Sequence, residues 1–411
     1  MNVAVIGTSR KENEKRVAIH PKHLARIPST VRKHLYFEKG YGIPFGISDR
    51  QIAELTGNGP EERGVLLHRQ EAVIIPKPVQ KDFEKMQEGA IVWGWIHSVQ
   101  QSEITQIAID KKMTLICWEN MYYNGKRGRI HIFQKNNEMA GYCGVQHALQ
   151  LRGIDGNFGQ PLRATVLSFG SVGRGAVLSL QSHGIHDITV YTHRPTFLVS
   201  DRIPGIQYKQ VCQDEEGLLT ATADNGDTVP LINLLAGTDI LVNCILQDPN
   251  SPVVFIRHSD LMKFKKECLV VDVSCDDGMG FQFAHPTSFS NPFIRIGNIL
   301  YYSVDHTPSL LWDSASWEIS SSLLPYLPDF VEQRKNPVLE HATDIRSGII
   351  QNKAILAFQK RSPVYPYRRE ENIPLTSESS GSTENRNILI HLSKNIKSRK
   401  LSIIASGFLI C

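Results

Sequence analysis

Four side chains and one glycine-rich turn carry chemistry in this chain. Arg16 stands in EKRVAIHP, Lys77 in VIIPKPV, His97 in VWGWIHS and Asp276 in VVDVSCDDG. A guanidinium offers a forked pair of donors to a carboxylate. An imidazole exchanges protons near neutral pH. Lys77 serves either as a cation on a substrate oxygen or, where neighbouring charge lowers its pKa, as a base, and its sequence leaves both open. Asp276 orients a proton donor or a ribose. Each also has a plainer reading: a surface charge for Arg16, a satisfied core histidine for His97, a turn residue for Asp276. Lys77 and His97 both end β-type runs, the edge at which open α/β sheets bind ligands.

The turn is LSFGSVGRGA, residues 167–176, between the strand-like ATVLSF and a helix. Gly170, Gly173 and Gly175 let the backbone approach a pyrophosphate and let the helix pack close to the sheet, and Ser168 stands where a first glycine is usual. Ser171 and Val172 bring the first free N–H groups of the helix and its positive dipole end to the same place. Tight packing alone is the competing use of such glycines. An NAD site would place Asp or Glu at the end of the next strand to hold the ribose 2′-OH. The chain reads YTHRP there, and Thr192, His193 and Arg194 suit a 2′-phosphate instead. The expected cofactor is therefore NADP(H).

These groups need a scaffold, and 411 residues are enough for two domains. NVAVIG, LYFEKG, AVIIPKP and AIVWGWIH read as short strands with helical stretches such as DRQIAELTG between them. A helix near 137–150 leads into a second alternating region: RATVLSFG, DITVYTHRP, TDILVNCI, CLVVDVSC and NILYYSVDH. Such alternation predicts α/β units on a mostly parallel sheet. After Pro308 the chain reads as helical through WEISSSLLPYLPDF and HATDIRSGIIQNKAILAFQKR. Trp95, two before His97, is placed on the same face by strand alternation; it either walls a pocket or packs in the core. Residues 367–411 change to a polar, then basic, then apolar composition and read as a weakly ordered tail.

Composition excludes several classes. Hydrophobic residues make up 41% and charged residues 21%, enough for a core and against disorder. A net charge of +4, spread along the chain, does not mark a nucleic-acid binder. Seven cysteines at irregular spacing, none in C-x-x-C, argue against a disulfide framework or zinc site and for a reducing cytoplasm. The N-terminus turns charged too early for a signal peptide. The most apolar stretch, 229–246, is interrupted by Asn233, Asp239 and Asn243 and reads as a helix end, a turn and a buried strand rather than a membrane span. His131, His147, His285 and His306 show no metal-ligand spacing, so no metal is expected.

Together ENEKRVAIHP, IIPKP, WGWIHS and VDVSCDDG resemble the motifs of the alanine dehydrogenase/nicotinamide nucleotide transhydrogenase superfamily, over residues 2–357. FGSVGRGA, YTHRP, DILVNCIL and YYSVDHTPSLLWDSASWEIS look more like its carboxyethylornithine synthase branch than like alanine dehydrogenase. The chain departs from alanine dehydrogenase in lacking a full G-x-G-x-x-G turn and an acid after the next strand. The resemblance implies two Rossmann-like α/β domains flanking a cleft, the second, dinucleotide-binding one inserted into the first. Residues 1–138 and 307–366 would form the substrate domain and 139–306 the NADP-binding domain, with hinge closure between them. It also implies NADPH-dependent reductive condensation of a 2-oxo acid with the side-chain amine of a diamino acid, in a homo-oligomer with no nucleic-acid or membrane partner. His97, Lys77 and Asp276 would be catalytic, with Arg16, Lys77, Glu119 and Glu138 on substrate. Glu119 and Glu138 have an equal claim as a helix cap or ion pair. Asn243 joins Ser168, Gly170, Ser171, Val172, Gly173, Thr192, His193 and Arg194 on the cofactor. Two other activities compete: an amino-acid dehydrogenase using ammonia, and a non-catalytic NADP binder.

Overall fold

The computed structural model describes residues 1–125, 128–215, 217–247 and 252–369. The expected tail, apart from 367–369, lies outside them. Five short apolar runs form parallel strands β1 (Val3–Val5), β2 (Leu35–Phe37), β3 (Ala72–Ile74), β4 (Ile91–Gly94) and β5 (Thr114–Cys117), ordered β2-β1-β3-β4-β5. Helices α1 (Ser29–Arg32), α2 (Asp49–Thr56), α3 (Arg63–Arg69), α4 (Gln80–Lys85) and α5 (Ser102–Asp110) connect them. α2 starts at a capping box of Ser48 and Gln51 and stops at left-handed Gly57. Both faces of this sheet are covered, which is why its strands are apolar without alternation. Val3 and Val5 enter one core with Phe37, Trp93 and Phe330, while Ala4 enters the other with Val92 and Leu115.

An antiparallel pair, β6 (Tyr122–Gly125) and β7 (Gly128–His131), precedes the long helix α6 (Gln134–Arg152). The second sheet follows, with β8 (Arg163–Leu167), helix α7 (Ser171–Ser182), β9 (Asp187–Thr192), β10 (Gln207–Gln213), β11 (Leu219–Thr222), β12 (Thr228–Pro230), helix α8 (Leu231–Leu235) and β13 (Ile240–Asn243). β14 (Val254–Ile256) pairs outside it with β16 (Gly280–Phe281), and β15 (Cys268–Asp272), β17 (Phe293–Ile296) and β18 (Ile299–Tyr302) complete it. Its six parallel strands run β10-β9-β8-β13-β15-β18, a dinucleotide-binding order whose switch point lies between β8 and β13. The 229–246 stretch is a strand end, α8, a turn and β13, and no described helix is long and apolar enough to cross a membrane.

The chain then returns through α9 (Trp312–Leu323), α10 (Leu327–Val331) and α11 (Pro337–His341). Here the structure corrects the helical expectation for HATDIRSGII. Thr343–Arg346 is a strand, β19, antiparallel to β5, and Ile349–Ile350 is β20, ahead of α12 (Lys353–Phe358). The first sheet thus takes strands from both sides of the second. Pairing with β5 supplies partners for backbone groups that a short helix would have satisfied locally, and Ser347 and Gly348 turn between the two strands.

Candidate active site

Lys77, His97 and Glu119 follow β3, β4 and β5, so one sheet edge brings them together. Lys77 Nζ lies 2.8 Å from His97 Nε2. Glu119 Oε1 accepts the His97 backbone N–H at 2.6 Å and stands 3.9 Å from His97 Nδ1, while its other oxygen is buried with no hydrogen-bond partner among the described residues. His97 has φ +52°, a left-handed conformation that costs a non-glycine residue energy and is characteristic of functional turns. β4 has ended at Gly94, so strand alternation does not relate Trp95 to His97, a correction to the sequence argument. Trp95 packs in the core and also carries the Arg16 guanidinium 4.8 Å and Lys77 Nζ 5.9 Å from its ring centre.

Burial, with help from the Lys11 and Arg16 charges, pushes the Lys77 ammonium down to about 8. Burial and the Lys77 charge push the His97 imidazolium well down, so His97 is neutral at physiological pH. Burial raises the Glu119 carboxyl to about 7, and the Asp344 charge adds to it. His97 and Glu119 keep 39% and 24% of their side-chain surface, so both remain partly open to solvent. With Lys77 charged, its N–H donates to His97 Nε2 and the imidazole proton resides on Nδ1, facing Glu119.

Arg16 is more committed than its isolated sequence implies. Its Nε donates to Glu14 Oε1 at 2.8 Å, its Nη2 to Glu14 Oε2 at 2.5 Å, and its Nη1 to Asn136 at 3.1 Å. Burial alone would raise the Glu14 carboxyl, but the charge and hydrogen bonds of Arg16 hold it lower. Of five guanidinium N–H groups, two therefore remain for a ligand. Glu138 pairs with Lys135 on α6 and touches neither Lys77 nor His97. Asp276 lies in the loop after β15, partly buried, and its carboxyl makes no hydrogen bond to a described residue; burial and Asp277 raise its pKa. The structure does not bring Asp276 into contact with the Lys77–His97 pair.

Several partners escaped sequence reasoning. Glu14 was visible two residues before Arg16. Asp305, just beyond β18, forms ion pairs with Lys11 and His306. Burial alone would raise the Asp305 carboxyl, but His306, Lys11 and Lys77 hold it well below the usual carboxylate range. Glu12 accepts the Phe289 and Ser290 N–H groups at 3.1 and 2.9 Å, and its carbonyl meets His306 Nε2 at 2.7 Å. The loop after β1 thereby ties the two sheets together beside Lys77. Among the described residues Cys117, Glu119 and Asp344 place metal-ligand atom types within 4.8 Å of one another. Asp344, however, already accepts three neutral donors, and burial pushes the Cys117 thiol well up, an arrangement built for hydrogen bonds.

At the second sheet, α7 starts at Gly170 with no side-chain cap, leaving its first N–H groups, those of Ser171 and Val172 included, for an anion. Ser168 adopts φ +77°, the left-handed geometry that explains why glycine is usual there. A Cβ on Gly173 would stand 2.4 Å from the Ser168 carbonyl oxygen. A Cβ on Gly175 would lie 1.7 Å from the Glu138 carbonyl oxygen, so this glycine lets α7 press on α6. Thr192 is buried at the end of β9, and His193 and Arg194 are exposed beyond it. Arg194 donates to the Phe169 carbonyl at 2.9 Å, which brings its guanidinium against the glycine turn. Arg174 adds a second cation 4.3 Å over the Phe169 ring, a residue the sequence reading passed over. Asn243 is turned inward: its amide donates to Asp272 at 2.9 Å and accepts Ile245 N–H at 3.2 Å. An uncapped helix, a turn without room for Cβ atoms and a basic strand end fit a dinucleotide phosphate. An open groove of about 810 Å³ near Leu149 and Phe158 shares no residue with either site.

Fold and site together define an oxidoreductase with a nucleotide-binding Rossmann fold. Residues 6–140 match the family described as alanine dehydrogenase/PNT, N-terminal domain, and residues 206–357 match alanine dehydrogenase/PNT, C-terminal domain. The chain belongs to the alanine dehydrogenase/PNT family, whose members use nicotinamide nucleotides in amino-acid metabolism and related redox chemistry. It is 24% identical over 327 residues to an N(5)-(carboxyethyl)ornithine synthase of Clostridium botulinum, covering 75% of this chain and 89% of that protein. It is 22% identical over 371 residues to an alanine dehydrogenase of Methanococcus maripaludis, covering 84% and 93%. The structure of an L-alanine dehydrogenase superposes with a TM-score of 0.67 at 18% identity, covering 87% of this chain and 99% of that one, a likeness of fold.

Proposed function

We propose that the protein catalyses NADPH-dependent reductive condensation of pyruvate, or a similar 2-oxo acid, with the side-chain amine of ornithine or lysine. The observation that carries this reading is the pair of carboxyl groups, Glu119 and Asp305, set around Lys77 and His97. Ammonia needs no acid to recognise it, whereas a cationic amino acid does. Arg194 against the glycine turn, with no carboxylate in YTHRP, supports NADPH over NADH.

The residues divide the work by charge state. The two free N–H groups of Arg16 take the oxo-acid carboxylate, and Lys77, largely charged at pH 7, donates to the ketone oxygen. Glu119, half ionised near pH 7, accepts the proton that the incoming ammonium must shed. His97 relays a proton from Lys77 Nζ, through its Nε2, to the carbinolamine oxygen, so that water leaves and a protonated imine forms. When bound, NADPH would supply the hydride that turns this protonated imine into a secondary amine. Mass spectrometry of the product tests this: pyruvate and ornithine should give ornithine enlarged by one carboxyethyl unit. Alanine formed from pyruvate and ammonium, with ornithine unchanged, would assign the chain to alanine dehydrogenase chemistry instead.

A further inference from the structure

The strand that returns from beyond the second domain reaches the back of the active site. β19 pairs with β5 irregularly: Thr343 faces Ile116 and Ile345 faces Leu115, so Asp344 is an extra residue on its strand. A bulge of this kind re-aims a side chain. The Asp344 carbonyl accepts the N–H groups of Gln351 and Asn352 at 2.8 and 3.1 Å, which fixes the bulge. Its carboxyl, buried at 2% exposure, accepts the Ser98 hydroxyl, Asn120 Nδ2 at 2.9 Å and Asn352 Nδ2 at 3.0 Å.

Ser98 follows His97, and Asn120 follows Glu119. One carboxyl group thus grips the neighbour of each member of the proton-transfer pair. The Ser98 carbonyl is held as well, by Thr105 Oγ1 at 2.7 Å and by Gln359 Nε2 at 2.8 Å from just beyond α12. We propose that Asp344 is a positioning residue for His97 and Glu119, so that β19 completes the active site from the far end of the chain. The inference rests on the reading of His97 and Glu119 as proton-transfer groups. Two physical effects serve it. The grip on Ser98 holds the left-handed turn at His97, whose N–H meets Glu119. The Asp344 charge also acts on Glu119, together with the other titratable groups around it, Cys117, Lys77 and His97. The Asp344 charge acts on His341 as well.

Asp344→Asn and Ser98→Ala separate the two effects. In Asp344→Asn, kcat should fall about 10-fold or more with the oxo-acid KM nearly unchanged, as expected for misplaced acid–base groups. The carbon-13 carboxyl titration of Glu119, assigned with Glu119→Gln, should move down by about one pH unit once the like charge is gone. Ser98→Ala should lower kcat while leaving that titration in place, because the charge remains. Wild-type kcat and an unmoved titration in Asp344→Asn would overturn the proposal. If that variant does not fold, wild-type kcat in Ser98→Ala does so. The titration needs no turnover, so it still reads the Asp344–Glu119 coupling if the wild-type protein proves inactive with every diamino acid.

Discussion

His97 meets Lys77 through a backbone turn that few residues adopt, and its neutral state follows from burial and the adjacent ammonium. His97→Ala should therefore cut turnover by roughly 100-fold or more while leaving NADPH affinity intact; a near-wild-type rate would remove it from the mechanism. The pH dependence has a definite sign. Raising the pH through about 7 ionises Glu119, and through about 8 discharges Lys77. Activity should rise through the first limb and fall through the second, and Glu119→Gln should abolish the rise at low pH. At the other site Arg194→Ala should weaken NADPH by roughly 10-fold or more, the loss of a charge-assisted contact, with NADH little affected. Equal losses in calorimetric titrations would mean that Arg194 does not read a 2′-phosphate. Lys77, His97 and the glycine turn were legible because each ends or follows a β-type run. The partners Asp305 and Asp344 were not, because an acid in a loop carries no periodicity to say which cation it faces.

Elements impose their own constraints. α6 and α7 cross closely enough that a Cβ on Gly141 would come within 1.9 Å of the Val172 carbonyl oxygen, and one on Gly175 within 1.7 Å of that of Glu138. Gly175→Ala should destabilise the protein by about 1–3 kcal/mol or more, read as a lower midpoint in urea unfolding. The second sheet is laced by Asp272 at the end of β15, which accepts Asn243 of β13 at 2.9 Å and Tyr301 of β18 at 2.8 Å. Burial raises its carboxyl from the usual range to about 7. A raised folded pKa gives stability that is fully present below about 4 and is lost as the pH rises through about 7. Melting temperatures between pH 4 and 7.5 should thus decline less in Asp272→Asn than in wild type, and identical slopes would contradict the assignment. The parallel strands were readable as apolar runs between helices. β19 was not: four residues, TDIR, have no period of their own, and their pairing with β5 spans more than two hundred residues of chain.

At the scale of the molecule, two parallel-dominated sheets are joined by α6, the return through α9, and the clasp of Lys11 and Glu12 on Asp305, His306 and the loop at Phe289. One edge holds Lys77, His97 and Glu119, and the other holds the glycine turn. The insertion of one sheet within the other was reached through family resemblance, since strand and helix periodicity alone describes a simple tandem. The most direct measurement follows NADPH and NADH oxidation with pyruvate while ornithine, lysine and ammonium are supplied in turn. Oxidation of NADPH only when a diamino acid is present is the predicted result. Turnover with ammonium alone, or a preference for NADH, would contradict the account.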